Sequence, residues 1–201
     1  RIELPDYIVT SGAGRDLEHL PALVKESSNF EFEKMLRRSP RGALTRANDQ
    51  GEPGHAGTVP MAVRHDALTA AAEMALAIDR IGRSHESVVA TVGRFKAYPG
   101  AVNVIPGDVR FTLDTRAPDD ALRETIITKI EGECKAIAAR RHVTLRIDPL
   151  SSAKATPMAS HMIAGLSEAI SRRQVTPRLL PSGAGHDAMA MAELCPAGML
   201  F

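Results

Sequence analysis

Two amphipathic helical stripes separated by strand-like sequence lie between residues 44 and 150, and this alternation limits the folds open to the chain. The apolar residues of the two stripes recur at helical spacing: Leu68, Ala71, Ala75 and Ile78 in the first, and Leu122, Ile126, Ile130, Cys134 and Ile137 in the second. The first stripe predicts a helix over residues 60–81, ended by Gly82 and Ser84, and Pro118 predicts the start of the second.

Strand signals flank both predicted helices. Apolar and polar residues alternate from 109 to 116 and again from 142 to 147, as expected of half-buried strands, and residues 43–48 and 88–98 are also strand-like. The resulting order is β-α-β-β-α-β. This order predicts a ferredoxin-like fold for residues 44–150, in which an antiparallel sheet carries both helices on one face.

After Pro149 the pattern changes. A linker over 151–157 precedes a predicted helix at 158–173, a strand at 175–180, a glycine turn, a helix at 186–194 and the start of a strand at 197–201. This alternation is typical of an α/β domain, so we expect residues 151–201 to be an incomplete portion of one. Residues 1–43 stay unassigned, apart from a candidate strand at 2–10.

Charge and composition exclude several classes of partner. Lys and Arg number 25 against 24 Asp and Glu, so the formal net charge is +1 and gives no general attraction for nucleic acid or anionic membrane. No apolar run approaches the roughly 20 residues of a membrane-spanning helix. The two cysteines fit no metal or redox spacing, which predicts a reduced, disulfide-free protein in the cytoplasm.

Arg116 and Asn103 are candidates for binding a small acid. Arg116 ends a predicted strand, and we expect it next to the loop 101–105 that contains Asn103. A guanidinium fork suits a carboxylate, and an amide can donate and accept. The alternative is an ion pair of Arg116 with Asp114 or Asp119, with Asn103 capping a turn.

Two glycine-containing segments also carry candidate site residues. His55 stands among small residues in a loop, where a ring can approach a ligand closely or simply face solvent. The turn of Gly183, Gly185 and His186 precedes a helix, whose free amides favour an anion; the alternative is a purely structural turn. Ser182, just before it, is a weak nucleophile candidate because it lacks a GxSxG elbow. No histidine, cysteine or carboxylate spacing predicts a metal site.

Three segments together resemble one family. They are Gly51-Glu-Pro-Gly-His-Ala-Gly-Thr-Val-Pro-Met61 with Arg64; Thr91-Val-Gly-Arg94 with Pro99-Gly-Ala-Val-Asn-Val-Ile-Pro-Gly107 and Asp114-Thr-Arg116; and Leu180-Pro-Ser-Gly-Ala-Gly-His-Asp-Ala-Met189 with Leu194-Cys-Pro-Ala-Gly-Met-Leu-Phe201. Residues 43–201 thus resemble the M20-type metal-dependent amidohydrolases, which include allantoate and ureidoglycolate amidohydrolases and N-carbamoyl-L-amino acid hydrolases. The resemblance implies a ferredoxin-like lid that also forms a homodimer, inserted in an α/β catalytic domain.

The resemblance also implies roles for single residues. His55 would reach the substrate, in the site of the partner subunit, and act in catalysis. Asn103 and Arg116 would hold the substrate carboxylate. Gly183, Gly185 and His186 would line the same pocket from the catalytic domain.

The metal-binding motifs of the family are absent from this sequence, among them a Gly-Ser-His-x-Asp motif and a His-Ile-Glu-Gln-Gly segment. We therefore expect the two divalent ions, zinc or manganese, to be bound outside these residues, and this chain alone to be inactive. The implied reaction is hydrolysis of a ureido or N-carbamoyl C–N bond, with allantoate as first substrate. N-carbamoyl-L-amino acids are the alternative, as is a non-catalytic dimerisation or ligand-binding module.

Overall fold

The computed structural model describes residues 42–201, so the candidate strand at 2–10 lies outside the described residues. The described residues fall into two compact units, 42–155 and Thr156–Phe201. None of the helices in this described part is both long and apolar enough to cross a membrane.

The first unit has six strands and two helices. In chain order they are β1 Gly42–Gln50, β2 Gly54–His55, α1 Ala67–Arg83, β3 Val89–Tyr98, β4 Val104–Ile105, β5 Asp108–Arg116, α2 Asp120–Arg141 and β6 Thr144–Ser152. The four long strands form one sheet in the order β3-β5-β1-β6, and every neighbouring pair is antiparallel. The predicted ferredoxin-like β-α-β-β-α-β plan is confirmed. The short strands β2 and β4 pair separately as a ribbon, which the sequence pattern did not predict.

One face of the sheet is covered by both helices. Helix α1 contacts α2, and both helices contact β1 and β5. The predicted alternation in β5 is confirmed, because Val109, Phe111 and Leu113 are buried while Arg110 is exposed. The largest fully buried side chains that the helices add are Met74, Ile78, Ile126, Ile130 and Ile137. This core leaves the polar face of β5, which carries Arg116, on the other side of the sheet.

The first helix begins later than residue 60, where the sequence placed it. Residues Met61–Val63 form a single 3-10 turn, and α1 starts at Ala67. The Asp66 carboxylate accepts hydrogen bonds from the amides of Leu68 at 2.9 Å and Thr69 at 3.2 Å. Asp66 is therefore the N-cap, and the signal from Pro60 marks the earlier turn.

The second unit contains α3 Ser160–Ser171 and α4 Asp187–Met191. Both helices were predicted, with longer bounds. The predicted strands at 175–180 and 197–201 are wrong, because neither segment is a strand in the structure. A strand needs a neighbour for its backbone groups, and among the described residues of this unit none pairs with these segments. Instead, the carbonyl of Ala197 accepts from the amide of Ala159, beside the start of α3, at 2.8 Å.

Candidate functional site

The ribbon of β2 and β4 places His55 beside Asn103. His55 is opposite Val104 in the antiparallel register, and the amide of Ala56 donates to the carbonyl of Asn103 at 2.8 Å. Both side chains are exposed. Just before the ribbon, the backbone of His65 packs closely against Gly51. A Cβ at residue 51 would lie 1.9 Å from the carbonyl oxygen of His65, so only glycine fits there. The structure thus brings two of the predicted site residues together.

The orientation of the His55 ring is set by its own loop. The amide of Gly57 donates to Nδ1 of His55 at 3.0 Å. Because a backbone N–H can only donate, Nδ1 is the acceptor and the neutral ring carries its proton on Nε2. The exposed ring of His55 therefore carries an Nε2–H donor.

Backbone hydrogen bonds and one arginine close the loop after His55. The carbonyl of His55 accepts from the amides of Thr58 and Val59, each at 3.2 Å. The guanidinium of Arg64 donates through Nη2 to the carbonyl of Ala56 at 2.6 Å and through Nε to that of Val59 at 3.0 Å. The loop is thus a closed turn and not an extended excursion.

Arg116 lies at the opposite end of the sheet from the ribbon. Asp108, at the start of β5, is in register with Gln50 and Tyr98, next to the ribbon. Arg116 ends β5, so the two ends are separated by about 27 Å at the rise per residue of an antiparallel strand. The expectation that Arg116 adjoins the 101–105 loop is wrong, because β5 is fully extended between them.

Arg116 is paired with Asp114 two residues earlier on the same face of β5. Its Nε lies 3.2 Å from both carboxylate oxygens and its Nη2 lies 2.6 Å from Oδ2. The side chains retain 30% and 25% of their exposure, so the pair is half-buried. The hydrogen bond that Arg116 donates to the Asp114 carboxylate raises the pKa of Arg116, although burial acts in the opposite direction. The Asp114 alternative from the sequence is therefore present, and it orients the guanidinium.

The remaining predicted residues lie in the turn before α4. Gly183 and Gly185 are exposed, and His186 is half-buried with its ring centroid 5.4 Å from that of Phe201. The Oγ of Ser182 is 2.6 Å from Nε2 of His186 and accepts from the amide of Ala184 at 3.2 Å. The hydroxyl accepts from Ala184 with one lone pair and still has its proton to donate to Nε2. This bond holds the ring of His186.

A family comparison identifies the first unit. Residues 46–142 match the model of the M20 peptidase dimerisation domain. The chain carries an M20 peptidase dimerisation domain. The resemblance to M20-type amidohydrolases predicted from the sequence is thereby confirmed.

Relatives of this chain include enzymes whose names specify two substrate classes. An N-carbamoyl-L-amino-acid amidohydrolase of Pseudomonas sp. (strain NS671) is 38% identical over 153 residues, which are 75% of this chain and 37% of that protein. An allantoate amidohydrolase of Escherichia coli (strain K12) is 33% identical over 152 residues, with coverage of 75% and 37%. The chain thus spans 37% of the length of these curated relatives.

Solved structures agree with this assignment. A hydantoinase/carbamoylase family amidase from Burkholderia ambifaria superposes with a TM-score of 0.75 at 34% sequence identity. The match covers 81% of this chain and 40% of the amidase. The similarity to this amidase therefore extends beyond residues 46–142.

Sequence reasoning missed the role of Arg64, which it recorded only as part of a motif. The partners of Arg64 are backbone carbonyl groups, and these are not visible in a pattern of side chains. The Ser182–His186 contact had a weak signal, because the residues are four apart across a glycine turn. Neither could be assigned without the positions of the backbone.

Proposed function

We propose that the full-length protein is an amidohydrolase that cleaves a ureido or N-carbamoyl C–N bond of a small carboxylic acid, with allantoate as first substrate. The observation that carries this proposal is the exposed pair of His55 and Asn103 on an M20 dimerisation domain, whose neighbourhood is fixed by the 2.8 Å hydrogen bond from the amide of Ala56 to the carbonyl of Asn103. The relatives support the reaction class, since the names of two of them specify this chemistry.

In this proposal the Nε2–H of His55 donates to the oxygen on which charge develops during attack on the ureido carbon. A fixed donor aimed at developing charge is among the largest contributions an active site makes. The amide of Asn103 binds the substrate beside it. The charged fork of Arg116 binds the carboxylate, while Gly183, Gly185 and His186 line the pocket.

Arg116 stands about 27 Å along β5 from the strand end beside the ribbon, and from this we infer that His55 and Arg116 of one chain bind different substrate molecules. Two copies can share one substrate if His55 and Asn103 come from one subunit and Arg116 from the other. We therefore propose a homodimer through residues 44–150, a lid domain, with residues 151–201 belonging to the catalytic domain. The M20 dimerisation domain supports this assembly.

Two divalent metal ions, zinc or manganese, belong to the proposed full-length enzyme. When bound, such ions polarise a carbonyl group and lower the pKa of bound water. Among the side chains that the structure describes, no group of three or more histidine, cysteine or acidic residues is placed to hold a metal. The described residues therefore do not fit a metal site, and we place the ligands outside them.

N-carbamoyl-L-amino acids are the alternative substrates, because an N-carbamoyl-L-amino-acid amidohydrolase is among the relatives at 38% identity, beside the allantoate amidohydrolase at 33%. Small changes around a binding group can exchange such substrates, so identity does not select between them. A non-catalytic dimerisation or ligand-binding module is the alternative of another class. The proposed location is the cytoplasm, on the basis of cysteine usage alone.

The test uses the full-length protein, loaded separately with manganese and zinc and freed of excess ion. We expect about two ions per chain, and ammonia release from allantoate, from N-carbamoyl-L-amino acids, or from both. The substrate with the higher kcat/KM identifies the class. A metal-loaded protein that releases no ammonia from either would overturn the amidohydrolase proposal and favour the non-catalytic module.

A further inference from the structure

The side chain of Arg64 spans the loop that follows His55. Its Nη2 donates to the carbonyl of Ala56 at 2.6 Å, and its Nε donates to the carbonyl of Val59 at 3.0 Å. The two acceptors are three residues apart, at the two ends of the turn. The guanidinium therefore ties both ends of the turn to one rigid, planar group.

Ala56 is held from both sides. Its amide donates to the carbonyl of Asn103 at 2.8 Å, while its carbonyl accepts from Arg64. The peptide units on either side of Ala56 join it to His55 and to Gly57, and the amide of Gly57 holds Nδ1 of His55. A shift of the Ala56 carbonyl would therefore move the donor that orients the ring.

Arg64 is committed to this loop. No carboxylate in the described part of the chain forms an ion pair with it, and its side chain is half-buried. A charged donor to a carbonyl group forms a stronger bond than a neutral one. A lysine at this position could supply the charge but not two donors in a fixed plane.

We propose that Arg64 is a positioning residue that holds the His55 loop in the conformation in which Nε2–H and Asn103 face the same ligand. The catalytic part of this inference rests on the proposed function, because it is tested by turnover. The hold on the loop itself is independent of any activity.

The first experiment compares R64A and R64K with wild type in the full-length, metal-loaded protein, using allantoate and an N-carbamoyl-L-amino acid. We expect R64A to lower kcat/KM by about 10- to 100-fold, as misplacement of a catalytic group does, and R64K to recover only part of this loss. The matched control is R83A, since Arg83 is exposed at the end of α1 and bonds only to Asp79 among the described residues. It should retain wild-type turnover.

A double-mutant cycle separates positioning from general structural damage. If Arg64 acts through His55, adding R64A to H55A should lower kcat/KM no further, so that the two effects are not additive. Full additivity, or an R64A protein with wild-type kcat/KM beside an impaired H55A protein, would refute the positioning role. If R64A folds poorly, R64K replaces it in the kinetic comparison with wild type, provided that R64K and wild type unfold at the same temperature.

Amide hydrogen exchange tests the loop without any substrate. Exchange of the amides of Gly57, Thr58 and Val59 should accelerate in R64A and R64K and not in R83A. If H55A has normal turnover, the role proposed for His55 is refuted. Amide hydrogen exchange is then the remaining test of whether Arg64 holds the loop. Unchanged exchange in both Arg64 variants would overturn the inference.

Discussion

The hydrogen bond between Gly57 and His55 decides which nitrogen of the ring can meet a ligand. The bond uses Nδ1 as acceptor at 3.0 Å, so the donor face of the ring is Nε2–H. A Cβ on Gly57 would lie 3.2 Å from the ring carbon Cε1, so a larger residue at this position would crowd the ring. His55 thus has one orientation as a donor before any substrate arrives.

A substitution on β5 tests the binding group at residue scale. In the full-length enzyme, R116A should raise KM by about 10-fold or more with a smaller change in kcat, because a charge-assisted bond to the substrate carboxylate is lost. The matched control is R110A, which removes an exposed arginine from the same face of the same strand. Steady-state kinetics measure both. An unchanged KM in R116A would remove Arg116 from the binding role.

Helices α1 and α2 are joined at element scale by Glu73. Its carboxylate accepts from the guanidinium of Arg140 and, at 2.7 Å, from that of Arg141. The side-chain hydrogen bond from Arg141, followed by that from Arg140, lowers the pKa of Glu73 below its ordinary value of 4.5. The carboxylate is 31% exposed, so solvent screens part of this interaction.

This pKa shift predicts how stability depends on pH. A carboxylate whose pKa is lowered in the folded state stabilises the fold above its unfolded pKa, and this contribution is lost as pH falls through the folded pKa. E73Q should therefore unfold at a lower temperature than wild type at pH 7, and the difference should shrink below about pH 4.5. Thermal unfolding between pH 3 and 7 measures this.

The control for this prediction is E133Q. Glu133 joins the same two helices through Arg80, at a longer distance of 3.5 Å. Its effect at pH 7 should be smaller, because the pair is longer and exposed. A difference between E73Q and wild type that stays constant over the whole pH range would contradict the ionic account of Glu73.

At the scale of the whole molecule, β5 carries the two ends of the proposed site. Asp108 begins the strand beside the ribbon, and Arg116 ends it about 27 Å away. In the proposed site, Arg116 and His55 therefore reach one small acid from two copies of the chain.

Mixing two inactive variants of the full-length enzyme tests this arrangement. If His55 acts across the dimer, one site of a mixed H55A and R116A dimer keeps both residues. Random reassembly should then restore about one quarter of wild-type activity, since half of the dimers are mixed and one of two sites works in each. Each variant alone should stay impaired. Mixed dimers shown by mass spectrometry to form, yet without restored activity, would contradict the trans arrangement.

Local pattern was sufficient for the long elements. A strand or helix that buries one face has apolar residues at regular spacing in its sequence. This spacing is visible in Val109, Phe111 and Leu113 of β5 and in Ile126 and Ile130 of α2. The start of α1 was misplaced because two signals, Pro60 and Asp66, compete, and only the hydrogen bonds of Asp66 select between them.

The sequence by itself determined the β-α-β-β-α-β order, the buried face of each long element and the family motifs, because each depends on residues close in the chain. Only the tertiary structure decided which candidate residues meet. It brought His55 close to Asn103 through a ribbon whose two-residue strands are too short to show an alternation of polar and apolar residues. It also placed Arg116 at the far end of an extended strand. It also revealed Arg64, whose partners are carbonyl groups. Spatial proximity between distant segments follows from strand register and backbone geometry, and no single segment of sequence contains that information.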